Sequence, residues 1–183
     1  KISKYLPNTP PSWENITVRN LLTHTSGIKD YDKHTLNYRL DYTDDQLLAI
    51  IKSLPLDFQP GTQWEYSNTG YVLLGIIIKN ITGKFYGDLL HQYIFVPLGM
   101  NTARIINESD IILNRAAGYQ LIQGQLKNQD YVSPSLNTTA DGSLYFSVLD
   151  LVKWDAALNT NKLLTQKDLQ LMWTPVKLNN GKL

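Results

Sequence analysis

No cysteine occurs in this 183-residue sequence. Its absence excludes disulfide scaffolds, thiolate catalysis and cysteine-based zinc sites. Charged residues are also few, at 18%, and the net charge is +1. The lysines and arginines are scattered, so the sequence offers no basic stripe that would follow a nucleic-acid backbone. We therefore expect a polar surface and no nucleic-acid partner.

Several other features are missing. No apolar run approaches the ~20 residues that a transmembrane helix needs, and no signal peptide is evident. The three histidines, His24, His34 and His91, are far apart and none has the spacing of metal ligands. A Gly-x-Ser-x-Gly elbow and a glycine-rich phosphate loop are absent as well. These absences predict no transmembrane segment, no metal site and no α/β-hydrolase triad.

The two ends of the chain look cut. The sequence begins at Lys1, without an initiating Met, and ends at Leu183. We therefore expect residues 1–183 to be a single segment of a larger protein, with any signal segment outside it. With 43% hydrophobic residues, this segment has enough apolar material for a core.

Helix start and stop signals dominate the sequence. Serine and threonine caps, proline and glycine stops and apolar periodicity predict helices over residues 18–22, 43–55, 68–78, 86–95, 147–158 and 165–173. The second of these opens with a capping box. Its apolar side chains, which should face inward, are Leu47, Leu48, Ile50 and Ile51.

A few positions carry more specific expectations. Apolar residues cover nearly every face of the run 71–78, so this helix should be central and fully enclosed. Gly27 should be the left-handed residue that closes the first helix. Alternation over 117–126, with a turn at Gln123-Gly124, predicts a β-hairpin. The sequence thus predicts a mainly α fold with a small β-hairpin, and it does not support a parallel βαβ domain.

Tyr66 and Asn68 are the main catalytic candidates. They lie two residues apart at the start of the enclosed helix, where a phenol and a carboxamide can face one cleft. Such a pair suits proton transfer next to a polarised carbonyl. A free phenol titrates near ~10, so a phenol that acts near neutrality needs neighbouring cations. No nucleophile for this pair is evident in the sequence.

Several short motifs carry a resemblance to a known family. In chain order they are Leu21-Leu-Thr-His-Thr-Ser-Gly-Ile28, Pro60-Gly61, Tyr66-Ser-Asn68, Pro97-Leu-Gly-Met100, and Gly142-Ser-Leu-Tyr145 followed by Asp150 and Trp154. Together they resemble the serine β-lactamase-like family, which includes class C β-lactamases, penicillin-binding DD-peptidases, and related esterases and D-amino-acid amidases. The resemblance covers residues from about 5 to 174. The sequence departs from the family at Asp141, where a small residue is more usual.

The resemblance implies both a fold and a chemistry. The family uses a Ser-x-x-Lys that carries the nucleophile, a Tyr-x-Asn, and a Lys-Thr-Gly or His-x-Gly on a cleft strand. Only the second is cleanly present, so the chain resembles the central helical region of the α/β serine β-lactamase/DD-peptidase fold. Tyr66 would then move a proton, and Asn68 would hold the substrate amide and the nucleophile's lysine. The nucleophile would lie before Lys1 and the third motif after Leu183, in the α/β half.

A literal Ser-x-x-Lys pattern occurs at Ser26-Gly-Ile-Lys29. We interpret Ser26 as a decoy, because the catalytic version needs a helical turn and Gly27 follows this serine directly. We interpret His24 as a hydrogen-bonded structural histidine, since no carboxylate in the sequence is placed to orient it. Trp64 and Ser67 are candidates to line the substrate cleft, with simple packing as the alternative for Trp64.

The predicted function is that of part of a serine hydrolase, which acylates its serine with an amide, lactam or ester carbonyl. The resemblance implies no cofactor, a small-molecule or peptide substrate, and export from the cell. Two alternatives stay open: a non-catalytic penicillin-binding-like protein, or an autonomous helical interaction module. The isolated chain should be inactive, because it lacks two of the three motifs. It should also self-associate through the uncovered face.

Overall fold

The computed structural model describes residues 1–32, 34–106 and 108–183. Helices dominate this part of the chain, as predicted. Their bounds in chain order are α1 Val18–Leu22, α2 Asp44–Ser53, α3 Asn68–Thr82, α4 Tyr86–Leu90, α5 Val96–Leu98, α6 Pro134–Asn137, α7 Val148–Leu158 and α8 Gln166–Trp173. A π-helical segment, His91–Phe95, joins α4 to α5. Two 3-10 turns, Ile2–Lys4 and Pro11–Trp13, precede α1.

Two small antiparallel sheets complete the fold. The predicted hairpin is confirmed, with β2 over Tyr119–Ile122 paired to β3 over Gln125–Asn128. Its turn uses Gln123 and Gly124, both with positive φ. The second sheet pairs β1, Arg104–Ile105, with β4, Leu144–Tyr145. Strands of two residues are too short to show alternation, so the sequence did not predict this sheet.

Side-chain caps explain where the main helices begin. Thr17 and Thr43 form reciprocal capping boxes at the starts of α1 and α2. Ser67, Ser147 and Thr165 accept backbone N–H bonds at the starts of α3, α7 and α8. Each cap satisfies a donor that has no partner within its helix. The predicted starts of these five helices are therefore confirmed.

Helix α3 forms the centre of the main core. It contacts α1, α2 and α4, and its side chains Val72, Leu73, Ile76 and Ile77 are buried. Full enclosure was predicted for residues 71–78, of which half are buried and half are partly buried. Ile81, beyond that run, is 60% exposed. The helix closes at Gly83, which has a left-handed backbone conformation. The N-terminal end of α3, where Thr69 and Gly70 are buried, adjoins the candidate site.

The prediction that Gly27 closes the first helix is wrong. Helix α1 ends at Leu22, and the chain turns at His24, whose φ is +56°. Gly27 is left-handed, with φ +73°, but it lies in an irregular segment. A Cβ atom there would lie 1.9 Å from the backbone oxygen of Phe58. Glycine is required because two backbone segments meet at this point.

A smaller apolar cluster lies away from the main core. It contains Phe95, Met100 and Ala103, and Trp154 of α7 packs against it. This cluster joins the π-helical segment to α7, so α7 is held against the body of the molecule on one face. Within the described ranges, no helix has both the length and the apolar character that crossing a bilayer would require.

Candidate active site

Tyr66 and Asn68 come together at the N-terminus of α3, as the sequence predicted. The Tyr66 hydroxyl donates a hydrogen bond to Asn68 Oδ1 over 3.2 Å. Tyr66 is 54% exposed, so its phenol is open to solvent and to any reacting group that approaches this face. Asn68 is the first residue of the helix and is half-buried. The pair can act on one bound molecule, although its catalytic role stays a prediction.

Ser67 lies between them and points inward. Its side chain is 5% exposed, and its Oγ accepts the backbone N–H of Gly70 at 3.3 Å. The same hydroxyl lies 3.3 Å from the backbone oxygen of Ile28 and can donate to it. The structure thus assigns this hydroxyl a capping contact, and its predicted place in the cleft stays a prediction. Trp64, in contrast, is 59% exposed beside Tyr66.

His24 connects the end of α1 to the strand-like segment before α3. Its Nδ1 accepts the backbone N–H of Ser67 at 3.2 Å, and its backbone oxygen accepts the N–H of Glu65 at 3.0 Å. The imidazole ring also packs against Tyr66 and Tyr71, with ring centres 4.6 and 5.2 Å away. Burial lowers the pKa of His24 from its ordinary value, against the opposing charge of Asp30. These contacts are those of a neutral, structural histidine.

Asp30 organises the site, although no pattern in the sequence predicted this role. Its Oδ1 accepts the backbone N–H of Thr69 at 2.8 Å and the Thr69 hydroxyl at 3.1 Å. Its Oδ2 accepts the side-chain amide of Asn68 at 3.0 Å. A carboxylate suits this position because it satisfies free N–H groups at the helix start and complements the helix dipole. Because Asp30 bonds Asn68 and Thr69 while the His24 ring bonds Ser67, the expectation that no carboxylate orients His24 is not contradicted.

A cavity of about 290 Å³ opens beside Asn68. Its polar lining includes Tyr31, Asn137 and Asp141, and the Tyr31 hydroxyl donates to Asp141 Oδ2 over 2.5 Å. Burial, followed by the bond to Asp141, raises the pKa of the Tyr31 phenol above its ordinary value. Asp141, the departure from the family pattern, thus shapes the wall of this cavity. The cavity is large enough for part of a small substrate.

The segment around Ser26 is not helical in the structure. Ser26 is 2% exposed, and its Oγ accepts the backbone N–H of Ile28 at 3.2 Å. The Lys29 ammonium pairs instead with Asp57 Oδ1, at 3.1 Å. The hydroxyl and the amine of this Ser-x-x-Lys pattern therefore have separate partners. The structure gives no geometric support to a nucleophilic role for Ser26.

The part of the chain that the structure describes contains no candidate metal site. Within residues 1–32, 34–106 and 108–183, no group of three or more His, Cys, Asp or Glu side chains could hold a metal ion.

The chain as a whole is similar to known proteins of one family. A family model described as Beta-lactamase matches residues 1–181. A penicillin-binding protein of Bacillus subtilis is 32% identical over 201 residues, which cover all of this chain and 44% of that protein. The chain thus spans about half the length of this relative.

Two solved structures are similar in fold. A D-stereospecific amidohydrolase from Streptomyces sp. aligns with a TM-score of 0.80 and 28% identity, over 97% of this chain and 58% of the other. D-amino acid amidase from Ochrobactrum anthropi aligns with a TM-score of 0.77 and 32% identity, over 92% and 49%. The predicted helical region of a serine β-lactamase-type fold is therefore confirmed.

Proposed function

The chain belongs to the Beta-lactamase family, and from that membership we propose that it is the helical part of a larger serine hydrolase. The family resemblance seen in the motifs is thereby confirmed. In the proposed reaction, a serine outside residues 1–183 forms an acyl-enzyme with an amide, lactam or ester carbonyl, and water then releases the acyl group. The family relation supports this reaction class.

The observation that carries the proposal is the hydrogen bond between Tyr66 and Asn68. Its position at an exposed helix start leaves the phenol free to exchange a proton with an approaching hydroxyl or leaving group. Asn68 accepts the hydrogen bond from the phenol, and its side chain also lines the cavity. This arrangement supplies proton transfer and orientation, and the nucleophile must come from elsewhere.

Amides are the substrate class that we favour. The two similar structures are named as a D-stereospecific amidohydrolase and a D-amino acid amidase, and the second was solved with L-phenylalanine amide. We propose that the complete protein hydrolyses an amide bond next to a D-amino acid. Lactams and esters are the alternatives, because they present the same carbonyl to the serine.

The test compares Tyr66→Phe with the unchanged protein in the full-length context. Covalent labelling by a fluorescent penicillin and hydrolysis of D-phenylalanine amide would both be measured. Loss of the phenol should lower kcat/KM by about 10² to 10⁴, the range of a general acid or base. The matched control is Tyr93→Phe, because Tyr93 is 60% exposed and lies in the π-helical segment outside the site.

Two outcomes would contradict the proposal. A full-length protein that neither labels nor hydrolyses any of the three carbonyl classes would favour a non-catalytic binding protein. Hydrolysis by the isolated 183-residue chain that disappears in Ser26→Ala would instead show that Ser26 is the nucleophile. We expect no turnover by the isolated chain.

A further inference from the structure

We propose that Asp30 is a positioning residue that sets which end of the Asn68 amide faces Tyr66. The inference rests on the proposed function for its catalytic consequence, but its structural part stands on the contacts alone. Asp30 does not touch Tyr66 through any hydrogen bond in the described residues. It acts through Asn68, whose side chain lies between the carboxylate and the phenol.

The donor and acceptor chemistry gives the amide one orientation. A carboxylate oxygen only accepts hydrogen bonds, so the side-chain group of Asn68 that faces Asp30 must be its NH₂. The carbonyl end of the same amide then faces Tyr66 and accepts a hydrogen bond from the phenol. Asp30 therefore determines that the reactive side of the site receives a hydrogen-bond acceptor instead of a donor.

Asp30 can set this orientation because it is itself held firmly. The Thr69 backbone N–H and hydroxyl both donate to its Oδ1, at 2.8 and 3.1 Å. Thr69 is fully buried, and its hydroxyl oxygen accepts the backbone N–H of Tyr31 at 2.8 Å. The carboxylate is thus tied to the start of α3 and to its own loop. Its second oxygen has a fixed position from which to hold Asn68.

The substitution Asp30→Asn tests whether Asp30 sets the orientation of the Asn68 amide. The Thr69 backbone N–H can only donate, so the new side chain must keep its carbonyl oxygen there. Its NH₂ then takes the place of Oδ2 and faces the NH₂ of Asn68. To avoid two opposed donors, Asn68 must turn its amide over. The turned amide presents NH₂, and no longer oxygen, to Tyr66.

The activity test uses the full-length protein and a matched control. Asp30→Asn should lower the acylation rate about 10²-fold, the size expected from a displaced reacting group, with little change in KM or in the urea midpoint. The control is Thr69→Val, which keeps the backbone bond to Asp30 but removes the hydroxyl. It should lower the urea midpoint and keep most of the acylation rate. If both variants lose rate only in proportion to stability, Asp30 is a helix cap and the inference is wrong.

A second measurement needs no activity. The side-chain NH₂ signals of Asn68, assigned by their loss in Asn68→Ala, can be followed in ¹H–¹⁵N spectra of the same full-length variants. We expect slow solvent exchange in the unchanged protein and faster exchange in Asp30→Asn, where the NH₂ faces the exposed phenol. Unchanged exchange would overturn the inference even in an active enzyme. Faster exchange in a protein without hydrolase activity would support the inference and contradict the proposed function.

Discussion

His24 holds the Tyr66 segment by both its backbone and its ring. The Nδ1 atom can accept the N–H of Ser67 only while it carries no proton, so the bond requires the neutral imidazole. Burial favours the same neutral form and lowers the pKa of His24. The contribution of the bond between His24 and Ser67 to the stability of the protein therefore depends on pH.

The expected pH dependence follows from the direction of that pKa shift. As pH falls below about 6.5, His24 takes up a proton in the unfolded chain before it does so in the folded one. The unfolded state then binds more protons, so the contribution of His24 to stability is present at neutral pH and decreases as pH falls. Urea denaturation at a series of pH values should show this decrease.

The variant His24→Asn separates this effect from other titrating groups. Asparagine tolerates the left-handed backbone at this position, where φ is +56°, and it does not titrate. Its stability should be lower at neutral pH and should change less between neutral and mildly acidic pH. His91→Asn is the control, because His91 is exposed and lies far along the chain. A full pH slope in His24→Asn would contradict the assignment.

For single residues, contacts between positions close in sequence could be predicted, and contacts between positions far apart in sequence could not. Thr17 and Thr43 cap helices through residues three positions away, and such patterns are visible in the sequence. Asp30 bonds Asn68, which is 38 positions away in the sequence. The residues next to Asp30 in the sequence form no pattern that predicts this contact. The Thr-His-Thr-Ser-Gly signature pointed to this loop, but only the fold shows which of its side chains reaches the candidate site.

Among the elements, α7 is tied to the body of the molecule by a buried carboxylate. Asp150, 2% exposed, accepts the Thr102 backbone N–H at 2.9 Å, the Thr102 hydroxyl, and the Lys153 ammonium at 3.3 Å. Burial by itself would raise the pKa of Asp150, but these hydrogen bonds outweigh it and hold the pKa below its usual value. Asp150 therefore fixes the start of α7 against the loop that leads into β1.

Asp150→Ala should destabilise the protein by about 1–3 kcal/mol, because it removes a buried acceptor that holds Thr102 and Lys153. The free energy of unfolding, measured with urea at neutral pH, tests this. Since the folded pKa is low, the contribution of Asp150 should disappear as pH falls through the acidic range below about 4. Asp155→Ala, at an exposed position of the same helix, is the control and should change stability by no more than about 0.5 kcal/mol. Equal effects of the two substitutions would contradict this role.

The elements also differ in how well the sequence predicts them. Helices α2, α7 and α8 combine a cap, a periodic pattern and a stop, and their positions were predicted closely. The pairing of β1 with β4 joins residues about 40 positions apart, through strands of two residues each. Such a sheet depends on how the intervening chain folds. A local pattern cannot specify it.

For the whole molecule, the most informative feature is an uncovered apolar face on α7. Val148, Leu149 and Val152 are 72%, 70% and 61% exposed. Positions three and four residues apart lie on the same side of a helix, so the three side chains form one stripe. The opposite side of α7 carries Asp150 and Ala157, both buried. An exposed stripe of this kind indicates a contact surface.

We predict that the isolated 183-residue chain self-associates through this stripe, and that the longer protein covers it. Sedimentation velocity at increasing concentrations should show association of the isolated chain, and Val148→Lys with Val152→Lys should reduce it. Lysine keeps the helix while placing charge on the stripe. Leu113→Lys is the control, because Leu113 is 85% exposed and lies outside any helix. A monomer at every concentration would contradict the prediction, and would favour the alternative in which this helical segment is a complete module.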